Sequence, residues 1–197
     1  MDCLPLLASV LSNQYGVTVE IGGSEAYTDG KTIHLPALPL DSEPELITMI
    51  KGYCDHESAH IRETDFEILR KANLTPFQHN LFNILEDWRV EERLSARYPG
   101  CRENFRYLIQ KLFGTQKAGD TNPAFSILNA ILLTVRSWSV DAIIPRRESV
   151  AKTMERHYPG LRKALDGILD RVKDSCKDTG DCIRYALELE QATLAWS

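Results

Sequence analysis

Apolar residues recur along this chain with two different periods. Residues 17–21 alternate apolar and polar side chains, as a half-buried strand does. Residues 26–28 and 32–35 have strand-forming composition and flank Asp29-Gly30, a typical two-residue hairpin turn. Beyond them the apolar positions recur every three or four residues, which is the helical period. The pattern predicts a small N-terminal antiparallel sheet of two or three strands, followed by helices.

The helical part begins with a long predicted helix. Pro44 is tolerated in a first turn, and apolar positions continue at helical spacing to Ile61. A second long helix is predicted to start with Thr75 as its cap and Pro76 in its first turn, and to end near residue 98. A short helix is predicted within the first dozen residues. Further helices are predicted over residues 102–113, 122–139, 147–157, 159–175 and 180–195. The fold class is therefore α+β and mostly α.

Residues 56–60 read HESAH, which is the HExxH pattern, and they lie inside the first long helix. Residues four apart share a helix face, so His56 and His60 are placed to bind one Zn²⁺. Glu57 beside them is placed to act as general base toward a metal-activated water. Because a catalytic zinc usually has three protein ligands, another helix must supply the third.

The second long helix is the best source of that ligand. Its apolar face is predicted to consist of Leu81, Ile84, Leu85 and Trp88. Asp87 lies on the flank of this face and Glu86 points away from it, so Asp87 is the first choice and Glu86 the reserve. Asn83 and Glu91, one turn on either side of Asp87, are predicted to hydrogen-bond to the ligands. Taken alone, these acids would also fit surface ion pairs with nearby arginines. The HExxH helix is what favours a metal site.

Charge and composition narrow the range of possible functions and locations. The chain has 197 residues and a formal net charge of −5, which argues against binding nucleic acid through its phosphates. No segment is apolar for long enough to span a membrane, and the N-terminus lacks the features of a signal peptide. The five cysteines are typical of reduced cytosolic thiols, and Cys176 and Cys182 are the two that an oxidising setting could join. We expect a cytoplasmic protein.

Several of these residues also carry a family resemblance. Residues 52–60, the row Asn83-x-x-x-Asp87-x-x-x-Glu91 and residues 98–100 resemble zincin-type metallopeptidase domains of bacterial and phage proteins related to the cobaltochelatase CobT subunit. The resemblance covers roughly residues 25–110. It implies a zincin-like fold, a Zn²⁺ cofactor and the aspartate of the row, here Asp87, as the third ligand.

The resemblance also suggests where a substrate binds. Residues 28–36 resemble the edge strand of that group, to which an extended peptide adds as a further strand. We therefore expect the substrate edge to consist of Thr32, Ile33, His34 and Leu35. The partners implied are a peptide or protein substrate, an AAA+ ATPase or a protein with a von Willebrand A domain.

Two functions follow. The first is a zinc-dependent, metallopeptidase-like hydrolase in which a metal-activated water attacks a peptide carbonyl and Glu57 is the general base. The alternative is a non-catalytic, metal-binding regulatory module of a CobT-like protein that works with an AAA+ ATPase. For either function we expect residues 1–115 to form the metal-binding domain. Residues 116–197 are expected to form a helical subdomain packed on it.

Overall fold

A computed structural model describes residues 3–37, 43–114 and 123–196. Its N-terminal elements are α1 (Leu4–Ser12), β1 (Thr18–Ile21), β2 (Tyr27–Thr28), β3 (Thr32–Leu35), α2 (Pro44–Glu63) and α3 (Phe66–Ala72). The later elements are α4 (Pro76–Arg97), α5 (Pro99–Phe113), α6 (Pro123–Arg136), a 3₁₀ turn (Asp141–Ile143), α7 (Ile144–His157), α8 (Leu161–Ser175) and α9 (Thr179–Leu194). The described residues are mostly helical with one small N-terminal sheet, which confirms an α+β, mostly α fold.

The sheet differs from the prediction in its topology. Its described strands are arranged in the order β1-β3-β2, so β3 is the central strand. β2 pairs with β3 antiparallel, which confirms the predicted hairpin, but β1 pairs with β3 parallel. An all-antiparallel sheet was therefore the wrong prediction. The prediction of an edge at Thr32–Leu35 was wrong as well, because both sides of this strand pair with neighbours. Alternation of apolar and polar residues defines the faces of a strand but neither its direction nor its place in a sheet.

Side chains of β3 also make contacts within the sheet and with the core beneath it. Ile33 and Leu35 are fully buried against α1 and α2 residues of the small N-terminal core. His34 faces the other way, where its ring stacks on Tyr27 with 4.3 Å between centroids and its Nδ1 lies 3.4 Å from a carboxylate oxygen of Glu20. These contacts follow directly from the register, which places His34 opposite both residues.

The hairpin turn forms for a local reason. The Asp29 carboxylate accepts hydrogen bonds from the backbone N–H groups of Lys31 (2.8 Å) and Thr32 (2.7 Å). These hydrogen bonds hold the pKa of Asp29 below its usual value, and the bond from Thr32 has the larger effect. Gly30 adopts φ +93°, a conformation that side-chain-bearing residues rarely take. Aspartate followed by glycine therefore meets the needs of this turn, as the sequence indicates.

The two long helices begin at the predicted residues. Pro44 starts α2, and the N–H of Thr64 closes its last turn by donating to His60 O at 2.9 Å. The start of α4 is a reciprocal capping box, in which Gln78 N–H donates to Thr75 Oγ1 (3.3 Å) and Thr75 N–H donates to Gln78 Oε1 (2.8 Å). The side chains at the start of α4 thus satisfy N–H groups that a helix leaves without internal partners.

The short helix α3 was not predicted. It has seven residues, none of them fully buried, so it is too short for a helical period to stand out in the sequence. It ends before Asn73, which adopts the left-handed conformation with φ +47°. The predicted helix at 122–139 ends earlier, at Arg136, and the 3₁₀ turn separates it from α7.

Contacts between Cα atoms group the chain into two units. The first comprises Met1–Phe66 with Val90–Leu108. Within it, one small core lies between α1, the sheet and α2, and a second consists of Leu11, Ala59, Val90, Leu94, Cys101 and Phe105. The second unit comprises Glu67–Arg89 with Ile109–Ser197, and it holds the largest core, built from the first half of α4 and from α6 to α9. The predicted boundary at residue 115 lies outside the described residues, so that division stays a prediction.

A close helix contact in the first unit depends on glycine. Gly52 is buried on α2, and a β-carbon there would lie 3.3 Å from both Asn104 O and Leu108 Cβ of α5. That spacing is tighter than most contacts of a real Cβ, so glycine lets the two helices approach.

In the described part of the chain, no helix combines the length and the apolar character needed to cross a membrane.

Candidate metal centre on helices α2 and α4

The predicted HExxH residues lie in the last two turns of α2. His56 and His60 are half-buried, and their rings meet edge to face with 4.8 Å between centroids. Glu57 is buried and precedes His60 by three residues, a spacing that makes the two side chains neighbours on a helix. The helix itself therefore places two imidazoles and a carboxylate together.

The orientation of His56 is set by Glu91 of α4. Glu91 is buried, and its Oε1 lies 2.8 Å from Nδ1 of His56. An ionised carboxylate only accepts hydrogen bonds, so Nδ1 carries the proton and the lone pair is on Nε2. This tautomer is assigned from the hydrogen-bond partner. A carboxylate behind a histidine is the arrangement that commonly orients a metal-binding imidazole and makes it more basic.

His60 has a comparable partner on its own helix. Its Nδ1 lies 3.0 Å from Oγ1 of Thr64, the residue that ends α2. When Nδ1 donates to this hydroxyl, the lone pair of His60 is also on Nε2. Sequence reasoning missed Thr64, although its i+4 spacing from His60 was a readable signal.

The third predicted ligand comes from α4. This helix runs without interruption from Pro76 to Arg97, so Asp87 lies one turn before Glu91 on the same side. Glu91 meets His56, so the helical period places Asp87 on the same side of α4 as that contact.

Arg136, at the end of α6, holds the carboxylate of Asp87. Its Nη2 donates to Asp87 Oδ2 at 2.8 Å, and the guanidinium is nearly inaccessible to solvent. One carboxylate oxygen is thereby engaged by a cation, which limits how the side chain can turn. Sequence reasoning missed Arg136, and no spacing pattern links it to Asp87, because 49 residues separate them.

The reserve ligand, Glu86, has a different environment. It is fully buried, and its two oxygens accept hydrogen bonds from Arg89, at 2.9 Å from Nε and 2.6 Å from Nη2. Thr179 Oγ1 also donates to Glu86 Oε1 at 2.9 Å. Burial alone would lower the pKa of Arg89, but the hydrogen bonds and charge of Glu86 outweigh it and raise that pKa. These contacts favour Asp87 over Glu86 as the ligand, and the choice between them stays a prediction.

A buried carboxyl group next to His56 fixes α2 against α5. Asp55 is nearly inaccessible, and its Oδ2 accepts a hydrogen bond from Asn104 Nδ2 at 2.8 Å. Burial raises the pKa of Asp55, and the hydrogen bond from Asn104 opposes part of that rise. Asp55 therefore belongs to the interior of the first unit, on the side of α2 that packs against α5.

The donor set fits zinc. Two imidazole nitrogens and one carboxylate oxygen are the ligands of a common class of catalytic zinc sites, in which a fourth position remains for water or substrate. Both histidines have an Nδ1 partner, and the carboxylate of Glu91 directs Nε2 of His56 toward binding, which is the pattern expected of a metal ligand. The site residues stay a prediction, and this geometry supports them.

The structure places the remaining predicted site residues in different environments. Glu91 contacts His56, as described above. Asn83 is exposed on α4, and its supporting role stays a prediction. The four residues of β3 do not provide an open edge, because the strand is central in the sheet.

The family of the chain follows from a comparison over nearly its whole length. A family model described as cobalamin biosynthesis protein CobT matches residues 2–189. The chain belongs to the CobT family. Neither a curated protein nor a solved structure matches it. The CobT part of the predicted resemblance is thereby confirmed, and it extends well beyond residues 25–110. The zincin-type peptidase part stays a prediction.

Proposed function

We propose that this CobT-family protein is a zinc-dependent, metallopeptidase-like hydrolase. In this proposal His56, His60 and Asp87 hold the metal and Glu57 is the general base. The observation that carries the proposal is the contact of His56 Nδ1 with Glu91 Oε1 at 2.8 Å, beside His60, whose ring meets that of His56 edge to face. The Nδ1 partner of His56 supports it, because a carboxylate there leaves the lone pair on Nε2, and a structural role for the ring would not need this.

The chain supplies the remaining chemistry. Zinc in a site of this kind acts as a Lewis acid on a carbonyl group and makes water more acidic. Glu57 takes a proton from the attacking water and passes it to the leaving amine, which is the role of a general base that then acts as an acid. Arg136 restrains Asp87, and Glu91 restrains His56, so that both side chains are oriented before substrate arrives.

A second candidate function is favoured by the family. The matching model is described by cobalamin biosynthesis, and nothing in that description refers to peptide hydrolysis. Burial of Glu57, which is 5 % exposed, also suits a carboxylate with a structural role. In this alternative the metal site stabilises a regulatory module. Its partner is then an AAA+ ATPase or a protein with a von Willebrand A domain.

Metal binding is tested first. The purified chain is stripped of metal with a chelator and titrated with Zn²⁺ against a chromophoric competitor. We expect one equivalent to bind, and we expect His56→Ala and His60→Ala to abolish that binding. His157→Ala, at an exposed position at the end of α7, is the matched control and should bind normally. A wild-type chain that binds no stoichiometric zinc would overturn the proposal.

The catalytic role is tested with Glu57→Gln. This change keeps the size of the side chain and removes its basicity, so the variant should retain zinc and lose hydrolysis of a fluorogenic peptide library. Hydrolysis that persists in the zinc-loaded variant would exclude Glu57 as the base. A wild-type protein that holds zinc and cleaves no library peptide would instead support the regulatory module.

A further inference from the structure

We propose that Cys176 and Cys182 form a redox modification site, in which a peroxide converts the two thiols into an intrachain disulfide. Their Sγ atoms lie 3.2 Å apart, and both residues are free thiols in the structure. A disulfide bond is about 2.05 Å long, so the sulfurs need to approach by only about an ångström. The proposal does not depend on the metal centre.

The backbone around the pair is already ordered. Cys176 follows the last turn of α8, and its N–H donates to Val172 O at 2.9 Å. Asp178 caps α9 by accepting from Asp181 N–H at 2.9 Å, and Asp181 in turn accepts from Lys177 N–H at 2.9 Å. The turn between the two helices is therefore held by its own hydrogen bonds. This preorganisation keeps the sulfurs close before any reaction occurs.

The two thiols differ in exposure, and this difference indicates which of them reacts first with the oxidant. Cys176 is partly exposed, so a small oxidant reaches it. Cys182 is fully buried. The hydrogen bond with Cys176 and burial raise the pKa of Cys182, which keeps it as a thiol. Cys176 is thus the residue that reacts first, and Cys182 is the residue that resolves the product.

The reaction balances with hydrogen peroxide as oxidant. The thiolate of Cys176 attacks one peroxide oxygen, the O–O bond breaks, and a sulfenic acid and hydroxide form. The hydroxide takes up the proton that Cys176 lost, which gives water. The sulfur of Cys182 then attacks the Cys176 sulfur, the S–O bond breaks, and the hydroxyl group leaves as water with the thiol proton of Cys182. Two thiols and one peroxide give one disulfide and two water molecules.

The other three cysteines do not offer this chemistry. Cys54 and Cys101 are buried, and desolvation raises the pKa of each thiol to about 12. A protonated, inaccessible thiol is a poor nucleophile toward peroxide. Cys3 is exposed and serves as the internal comparison. The structure therefore predicts that intrachain disulfide formation is selective for the pair at α8 and α9.

The pair is also connected to α4. Thr179, between the two cysteines in sequence, donates to Glu86 Oε1 at 2.9 Å and accepts from Arg89 Nη2 at 3.4 Å. Glu86 also influences Cys182 directly, since its charge raises the pKa of that thiol. Closing the disulfide tightens a turn that is hydrogen-bonded to α4, so oxidation should be detectable in the stability of this unit.

The wild-type chain provides the direct test. The protein is treated with hydrogen peroxide, its remaining thiols are alkylated, and the digest is analysed by mass spectrometry. We expect a linkage between Cys176 and Cys182, lower in mass by two hydrogen atoms and reversed by dithiothreitol. Recovery of Cys176 as unmodified thiol or as sulfinic acid, with no linkage to Cys182, would overturn the proposal.

Variants supply a second measurement. Cys176→Ser changes the partly exposed member of the pair and avoids placing a hydroxyl at the fully buried position 182. Peroxide should raise the melting temperature of the wild type and of the matched control Cys3→Ser, and leave that of Cys176→Ser unchanged. A peroxide-dependent rise that persists in Cys176→Ser, or that disappears in Cys3→Ser, contradicts the assignment.

Discussion

Glu91 Oε1 lies 2.8 Å from Nδ1 of His56, and this contact joins α4 to the HExxH segment of α2. The two residues are 35 positions apart in sequence, and both are largely shielded from solvent. The carboxylate selects the tautomer in which Nε2 carries the lone pair of His56. It thereby leaves free of this hydrogen bond the ring nitrogen through which our proposal has His56 bind the metal.

Removing this carboxylate should weaken metal binding. We expect Glu91→Ala to lower the affinity for Zn²⁺ by about 10–100-fold, which is the usual effect of losing a partner behind a ligating histidine. Glu91→Gln should lie between this variant and the wild type, because the amide oxygen still accepts from Nδ1. Competition with a chromophoric chelator measures each affinity.

The control for this series is Glu103→Gln, since Glu103 is an exposed acid on α5 whose side chain is 76 % accessible. It should bind zinc as the wild type does. Circular dichroism of each metal-free variant separates a change in affinity from a loss of fold. Wild-type affinity in a folded Glu91→Ala protein would show that the contact does not prepare His56 for a metal.

Two adjacent acids on α4 should give opposite results. Asp87→Asn retains an acceptor for Arg136 and loses the anionic ligand, so it should lose zinc while remaining folded. Glu86→Gln weakens the buried pair with Arg89 and should lower the free energy of unfolding by about 3–5 kcal/mol, the range for breaking a buried ion pair. Zinc titration and urea denaturation of the metal-free proteins distinguish the two effects. If Glu86→Gln loses zinc and Asp87→Asn keeps it, Glu86 is the ligand and our first choice is wrong.

Stability should depend on pH through Glu148. Hydrogen bonds from Arg162, at 3.1 and 3.0 Å, and from Arg147 hold the pKa of Glu148 below its ordinary value of 4.5. A carboxyl group whose pKa is lowered in the folded state stabilises the fold above its unfolded pKa, and this contribution is lost as pH falls through the folded pKa. Glu148→Gln should therefore be less stable than the wild type at pH 7, and the difference should shrink below pH 4.5.

Chemical denaturation across this pH range measures the difference. A double-mutant cycle with Arg162→Ala assigns it to the ion pair, because the effect of Glu148→Gln should be smaller when Arg162 is absent. A difference that is constant from neutral to acidic pH would mean that Glu148 acts through packing alone.

Much of the secondary structure was predictable because its signals are local. Pro44 and the capping pair Thr75 and Gln78 mark the starts of α2 and α4, and each acts on backbone groups within a single turn. The turn at Asp29-Gly30 is of the same kind. The short α3 had no such signal, because it is only seven residues long and none of its side chains is fully buried.

The order of the strands was not predictable in this way. Alternation correctly indicates that Ile33 and Leu35 face the core. Whether β1 lies beside β2 or beside β3, and in which direction, depends on how the intervening residues cross the sheet. No pattern within a single strand reports this, and the predicted substrate edge failed for that reason.

The sequence by itself determined which side chains of α2 lie together, because HExxH spacing places two histidines and a glutamate on one helix face wherever that helix lies. It also identified Asp87 and Glu91 as candidates, since helical periodicity relates them to the apolar face of α4. Only the tertiary structure decided their different roles. Glu91 meets His56, Asp87 meets Arg136, and Glu86 is engaged by Arg89 and Thr179. Those pairings depend on how separate helices pack, which is a property of the whole core and of no short stretch of residues.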